Sequence, residues 1–287
     1  MYKSKRFFYT YEQTNEEEKS AETMIEDIMK DSEFSQLEEI VIGCWGEAWD
    51  EGAQMLVDGI VENKDKFSHI KSLFIGDMDY EDCEVSWIIQ ADYSALWEAM
   101  PQLEKLVIKG STELSLGTIK HDKLEELEII CGGLSSSVIE QIQNAKLPSL
   151  KKLLLYLGVE GYGFDGDIST VKNLLEQSDF PQLEYLGITD SEIQDEVTEA
   201  VLQSKYMKQI KILDLSMGSL TDKGGQLLLD NIGNYPNVEA LDLHYHYLSD
   251  AMMKKLEGLT ISVDLDDPEE PYTYSDGEVS YYPMLTE

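Results

Sequence analysis

The residues best suited to chemistry in this 287-residue chain lie towards its carboxyl end. Asp242, His244 and His246 follow D-x-H-x-H within LDLHYHYL, and Asp214 stands at the matching place in the earlier LDLSMGSL. On a β-strand, residues two apart face the same side, so alternation puts the aspartate and both histidines on one face if the strand runs that far. Asp214 and Asp242 then fall on adjacent strands, roughly 5 Å apart. Like charges this close are unfavourable unless something offsets them. A divalent transition metal would do so, and two imidazoles with one or two carboxylates are a suitable donor set for it. A lysine or arginine from a binding partner would also serve. The third reading is structural, since HYHYL at a strand end can simply pack.

Other catalytic signatures are missing. The four histidines (His69, His121, His244 and His246) lie away from any nucleophile motif, so no Ser-His-Asp or Cys-His set can be assembled. Neither GxxxxGK[ST] nor GxGxxG after a strand occurs, and GYGFDGD continues into neither pattern. The FDGD at Phe164–Asp167 is short of the spaced ligands and closing glutamate of an EF-hand loop. On these grounds the chain is expected not to be an enzyme and to need no cofactor.

Charge narrows the partners. Acidic residues number 57 against 22 basic ones, for a net charge of -35, and Arg6 is the sole arginine. A field of this sign repels phosphate backbones, and the residue best suited to grip them is nearly absent, so direct nucleic-acid binding is not expected. A basic protein partner fits the field, as does plain solubility. No apolar run reaches the roughly 18 residues of a membrane span, and MYKSKRFFYTYEQ lacks an apolar signal core. Cys44, Cys83 and Cys131 are odd in number and widely spaced, which suits a reducing cytoplasm better than a disulfide framework.

The element that must position the Asp/His set is a repeat. The template L-x-x-L-x-L occurs at Leu37/Ile40/Ile42, Ile70/Leu73/Ile75, Leu103/Leu106/Ile108, Leu124/Leu127/Ile129, Leu150/Leu153/Leu155, Leu183/Leu186/Ile188, Ile210/Leu213/Leu215 and Val238/Leu241/Leu243. A ninth, truncated copy is placed at Leu256/Leu259/Ile261. Intervals of roughly 20 to 33 residues signify a solenoid. Helical spacing fills the gaps: Trp49, Ala53, Leu56 and Ile60 share a face, as do Ile193, Val197 and Val201. Pro101, Pro148, Pro181 and Pro236 each stand two residues before a strand's first apolar position and stop the helix there. The expected fold is therefore α/β: eight or nine parallel strands lining the concave side of a horseshoe, helices outside, and right-handed crossovers between them.

The unit LDLSMGSLTDKGGQLLLDNIGNYPNVEALDL resembles a leucine-rich repeat of the ribonuclease-inhibitor type. More closely, GCWGEAW, SLFIGD, EVSWIIQAD, SEIQDEV and LDLHYHYL are similar to a family of bacterial cytoplasmic leucine-rich-repeat proteins without assigned activity. The resemblance implies a fold and a compartment, and it spans nearly the whole chain. One departure stands out: the ninth template position, usually Asn or Cys, is Trp45, Met78, Ser111, Gly132, Gly158, Ser191, Gly218 and His246. A regular asparagine ladder is therefore not expected.

Three regions follow: a cap at 1–34, the solenoid at 35–265, and an acidic, tyrosine-rich tail at 266–287. The tail is either solvated or docked through Tyr272, Tyr274, Tyr281 and Tyr282. Template positions three, five and seven face away from the core and form the candidate partner surface. Val41, Phe74 and Val107 make an apolar stripe there, which is either a contact site or is covered by the N-terminal segment or tail. Lys105, Glu126 and Lys152 alternate in sign across neighbouring strands. Glu128, Tyr156, Tyr185, Asp214, Asp242 and His244 complete the expected protein-binding face, and Asp214, Asp242, His244 and His246 are the candidate metal ligands. The leading expectation is a protein-protein interaction module (scaffold, inhibitor or immunity-type) with a basic partner. The alternative is a metal- or ligand-binding protein.

Overall fold

The computed structural model describes residues 2–286. Ten parallel strands form one open sheet in strict sequence order: β1 (Ser4–Phe7), β2 (Glu39–Ile42), β3 (Ser72–Ile75), β4 (Lys105–Lys109), β5 (Glu126–Ile130), β6 (Lys152–Gly158), β7 (Tyr185–Ser191), β8 (Ile212–Asp214), β9 (Ala240–Asp242) and β10 (Ser262–Asp264). Between them run α1 (Tyr11–Glu16), α2 (Ala21–Lys30), α3 (Gln54–Glu62), α4 (Lys64–Phe67), α5 (Leu96–Ala99), α6 (Ser136–Gln143), α7 (Ile168–Gln177), α8 (Gln194–Leu202), α9 (Asp222–Asn231) and α10 (Asp250–Leu256). The chain passes from β4 to β5 with no helix between, which explains the shortest interval in the template series.

Alternation drives the assembly. The fourth and sixth template residues, from Ile40 and Ile42 to Leu241 and Leu243, are all at most 1% exposed and belong to one continuous core with the helices. Burying each such side chain stabilises the fold by about 1.5–3 kcal/mol before chain entropy is counted. The helices begin where the sequence offers caps: Ser135, Asp167, Thr221 and Ser249 each accept a hydrogen bond from a first-turn N–H. Each such cap contributes about 1 kcal/mol.

Two ladders at the amino-terminal ends of the strands hold the register. The residue just before the first apolar position reaches back one repeat. His69 Nε2 pairs with the Phe34 carbonyl, Gln209 donates to the carbonyls of Phe180 and Leu183, and Asn237 donates to those of Met207 and Ile210. Beside it, the second template position pairs opposite charges between neighbouring strands, with Lys71–Glu38 at 2.8 Å, Lys151–Glu125 at 2.8 Å and Lys211–Glu184 at 2.9 Å, interrupted where Glu104 and Glu125 are neighbours. These pairs are exposed and set register more than stability.

Two expectations need correction. The last repeat is not Leu256/Leu259/Ile261: Leu256 ends α10, and β10 pairs Ser262 with Ala240, Val263 with Leu241 and Asp264 with Asp242. The true copy is Thr260/Val263/Leu265, whose threonine start hid it. At the other end, part of the segment expected to cap the array is itself a strand, with Ser4 opposite Glu39 and Phe7 opposite Ile42. Lys5 takes the fourth position there, tolerated because at the sheet edge its ammonium stays near water and pairs with Asp31 at 2.7 Å. The tail docks back: a two-stranded hairpin, β11 (Tyr272–Thr273) with β12 (Val279–Ser280), is followed by Tyr281, whose ring meets Tyr247 edge-on at 5.1 Å.

Candidate functional site

A band of polar side chains crosses the sheet face opposite the helices, from β4 to β10. At one end Glu128 of β5, 8% exposed, lies between Lys105 Nζ at 3.3 Å and Lys152 Nζ at 3.0 Å. Lys105 also reaches Glu126. Burial works against the Lys105 ammonium, but Glu128 and Glu126 outweigh it and raise its pKa. Lys152 lies 4.7 Å from the centre of the Tyr185 ring, a cation–π contact, and the Tyr185 hydroxyl donates to Asp214 Oδ2.

From Asp214 onwards the band is acidic. Asp214, Asp242 and Asp264 occupy the same register on β8, β9 and β10, so neighbours stand about 4.8 Å apart along the sheet. Each ends its strand and folds a carboxylate onto the amide two residues on: Ser216 N to Asp214 at 3.1 Å, His244 N to Asp242 at 3.2 Å, Asp266 N to Asp264 at 3.0 Å. This is the local turn that aspartate favours, and it accounts for why aspartate recurs there. It leaves the second carboxylate oxygens for other partners.

The three carboxylates differ in environment. Asp214 is 4% exposed, and burial raises its pKa against the opposing pull of the Ser216 and Tyr185 hydroxyls. Ser216 Oγ lies 2.6 Å from Asp214 Oδ1. Tyr185 and Tyr156 are both held protonated, by burial first and by Asp214 next. Asp242 is half-buried and its Oδ1 lies 2.7 Å from His244 Nδ1. Burial alone would depress the His244 imidazole; the Asp242 contact and the charges of Asp214 and Asp264 overcome that and raise it. Asp264 is exposed at the edge strand, and one donor atom each from Asp242, His244 and Asp264 lie within 4.8 Å of one another.

His246 does not join them. Strand β9 ends at Asp242, Tyr245 turns with φ +55°, and the reversal sends His246 into the core at 0% exposure. There Nε2 meets the Leu265 carbonyl at 3.2 Å and Nδ1 accepts the Leu248 N–H. Burial lowers its pKa. Expected ligand His246 is therefore replaced by Asp264. Asp214, paired with Tyr185 and Ser216, also lies outside the group of three.

The apolar stripe takes its expected place, with Val41, Phe74 and Val107 in register on β2, β3 and β4. Val107 is buried, while Val41 and Phe74 are half-exposed. The N-terminal segment does not cover them. It lies alongside as β1, with Arg6 opposite Val41 and its guanidinium held by Asp77 at 2.6 Å.

A crystal structure of a protein from Bacteroides fragilis, a Northeast Structural Genomics Consortium target, superposes on this chain with a TM-score of 0.90. The two are 40% identical over 99% of this chain and 78% of that one. The chain belongs to the same family as that protein. No protein-family model matches the sequence, and no curated protein does.

Within that frame, what the repeat reading missed at the site was Asp264. Its signal was present, because Leu-Asp-Leu at 213–215 and 241–243 recurs as Val-Asp-Leu at 263–265. Ser216 and the lysine–tyrosine link from Lys152 to Asp214 carry no sequence signature, since they depend on which side chains the register brings together. No helix among the described residues is long and apolar enough to cross a membrane.

Proposed function

We propose that the chain is a leucine-rich-repeat solenoid acting in the bacterial cytoplasm as a non-enzymatic protein-binding module, with a basic partner seated on the sheet face that the helices leave open. The observation that carries this reading is the row Asp214, Asp242 and Asp264 on three adjacent strands. Asp242 and Asp264 have carboxylate oxygens to spare, and no lysine is paired to any of the three among the described residues. Lys105 and Lys152, elsewhere on the same face, are already paired with Glu126 and Glu128. The row is thus the part of the face that a partner's lysine or arginine would complete, while the aromatic rings of Tyr156 and Tyr185 lie beside it. A net charge of -35 would steer a basic partner towards the chain and make the encounter salt-sensitive.

The test is capture from native cytoplasm with the wild-type protein and an Asp242→Asn/Asp264→Asn variant, at low and physiological salt. A basic protein held by wild type and lost from the variant supports the reading. Recovery of the same proteins by both sinks it.

A second reading rests on the proximity of Asp242, His244 and Asp264. Two carboxylates and an imidazole at this separation suit a divalent transition metal. Binding would need the neutral imidazole and so would strengthen as pH rises past the raised His244 pKa. Calorimetric titration with zinc, before and after His244→Ala, decides it: no heat from wild type rules the site out.

A further inference from the structure

The carboxyl-terminal residues do not leave the sheet; they run back across the carboxyl ends of its strands. Tyr282 begins the path, its carbonyl accepting the hydroxyls of Tyr247 at 2.8 Å and Tyr245 at 3.3 Å, beyond β9. Pro283 is buried. Met284 N–H donates to the Met217 carbonyl beyond β8 at 2.8 Å, and Leu285 N–H to Asp190 Oδ1 on β7 at 2.8 Å. The Thr286 carbonyl accepts the Ser86 hydroxyl, beyond β3, at 2.7 Å. It also crosses Gly132, where a Cβ would come within 2.6 Å of it. The segment is a strap held by its backbone at four successive points.

One of those points is unlike the others. Asp190 is 0% exposed, sits at φ +53°, and among the described residues its Oδ2 has no hydrogen-bond partner. An ionised carboxylate buried with one bare oxygen is strongly disfavoured, whereas a protonated carboxyl tolerates the same place far better. We propose that Asp190 is a proton-operated latch: the strap lies down over a protonated Asp190 and lifts when that carboxyl ionises, opening the strand-end rim beside the acidic band.

The electrostatics agree with the geometry. Burial pushes Asp190 up to about 8, against the pull of the Leu285 and Met284 amides. Among the described residues, titratable side chains on three neighbouring elements feel its charge: Cys131 beyond β5, Tyr156 on β6 and Tyr245 beyond β9. All three are raised by burial, the thiol to about 12, and stay neutral at physiological pH. Asp190 is therefore the member of this group that changes charge there. With the strap lifted, the carboxyl meets water and returns towards its ordinary value near ~4. Because the docked value is the higher one, docking is fully favoured below about 4 and weakens as pH rises to about 8. The limiting slope is roughly tenfold per pH unit.

Hydrogen-exchange protection of the Met284 and Leu285 amides, corrected for intrinsic rate, tests this at pH 6 and pH 8 in wild type and Asp190→Asn. Asparagine keeps the acceptor, tolerates positive φ, and cannot ionise. The expected result is a fall of roughly ten- to a hundredfold in wild type and none in the variant. Equal behaviour of the two proteins, or constant protection in wild type, overturns the latch. A carbon-13 titration of the wild-type Asp190 carboxyl needs no variant: a midpoint near 8 is expected, and one in the ordinary carboxylate range refutes the proposal.

Discussion

Replacing Tyr185 with phenylalanine removes one hydroxyl and nothing else. The ring that packs 4.7 Å from Lys152 Nζ stays, so the cation–π contact survives. The lost group is the donor to Asp214 Oδ2. Asp214 is 4% exposed and keeps only the Ser216 hydroxyl at 2.6 Å and the Ser216 amide at 3.1 Å, both on Oδ1. A hydrogen bond to a charged group contributes about 1.5–3 kcal/mol, and with the other oxygen stranded the upper half of that range is expected, roughly 2–3 kcal/mol. The pH dependence is a second signature. Burial already raises the Asp214 pKa, and removing a donor that favours the carboxylate raises it further. The raised value means that this group's contribution to stability is fully present below the unfolded carboxyl pKa and is lost as pH rises through the folded one. Tyr185→Phe therefore costs more on the alkaline side of the raised Asp214 titration, where the carboxylate is charged, than on the acid side. Urea denaturation of wild type, Tyr185→Phe, Asp214→Asn and the double variant measures both effects. A coupling energy below about 0.5 kcal/mol, or a cost that does not change with pH, refutes the argument that this bond holds a buried charge.

Other expectations are as definite. His244 titrates above the usual ~6.5 of an imidazole by proton NMR, and Asp242→Asn lowers it, because the contact that most strongly opposes the effect of burial is then lost. Glu128→Gln leaves Lys105 and Lys152 half-buried without their shared carboxylate, and costs about 1–2 kcal/mol in urea melts after allowing for partial exposure. Gly158→Ala collides with backbone, since the new Cβ would lie 1.8 Å from the Gly132 carbonyl at φ +70°. A loss of at least about 2 kcal/mol is expected, and a melting temperature equal to wild type would contradict the geometry.

Most of the sheet could be read from periodicity, and the reasons it failed at both ends are physical. The middle strands carry Leu or Ile at the fourth and sixth positions because both faces of the core press on them. The edge strands have water on one side, so Lys5 and Thr260 can occupy template positions that apolar residues hold elsewhere. Alternation also predicted the columns on the open face, including Lys105 beside Glu126 and Asp214 beside Asp242. It failed for His246 because the strand stops at Asp242, where the aspartate turns its carboxylate onto the following backbone. Strap and latch were out of reach: Asp190 lies in an ordinary ITDS stretch, and only the tertiary path of residues 282–286 makes it unusual.

The central claim is that the acidic row on β8, β9 and β10 is where a basic partner sits. Its most direct test is the affinity of the captured partner for wild type and for Asp242→Asn/Asp264→Asn, measured at low and physiological salt. The expected result is at least a tenfold loss of affinity in the variant at low salt, with a weaker salt dependence than wild type, because two charges have left the interface. Equal affinity and equal salt dependence would place the partner elsewhere on the molecule and contradict the claim.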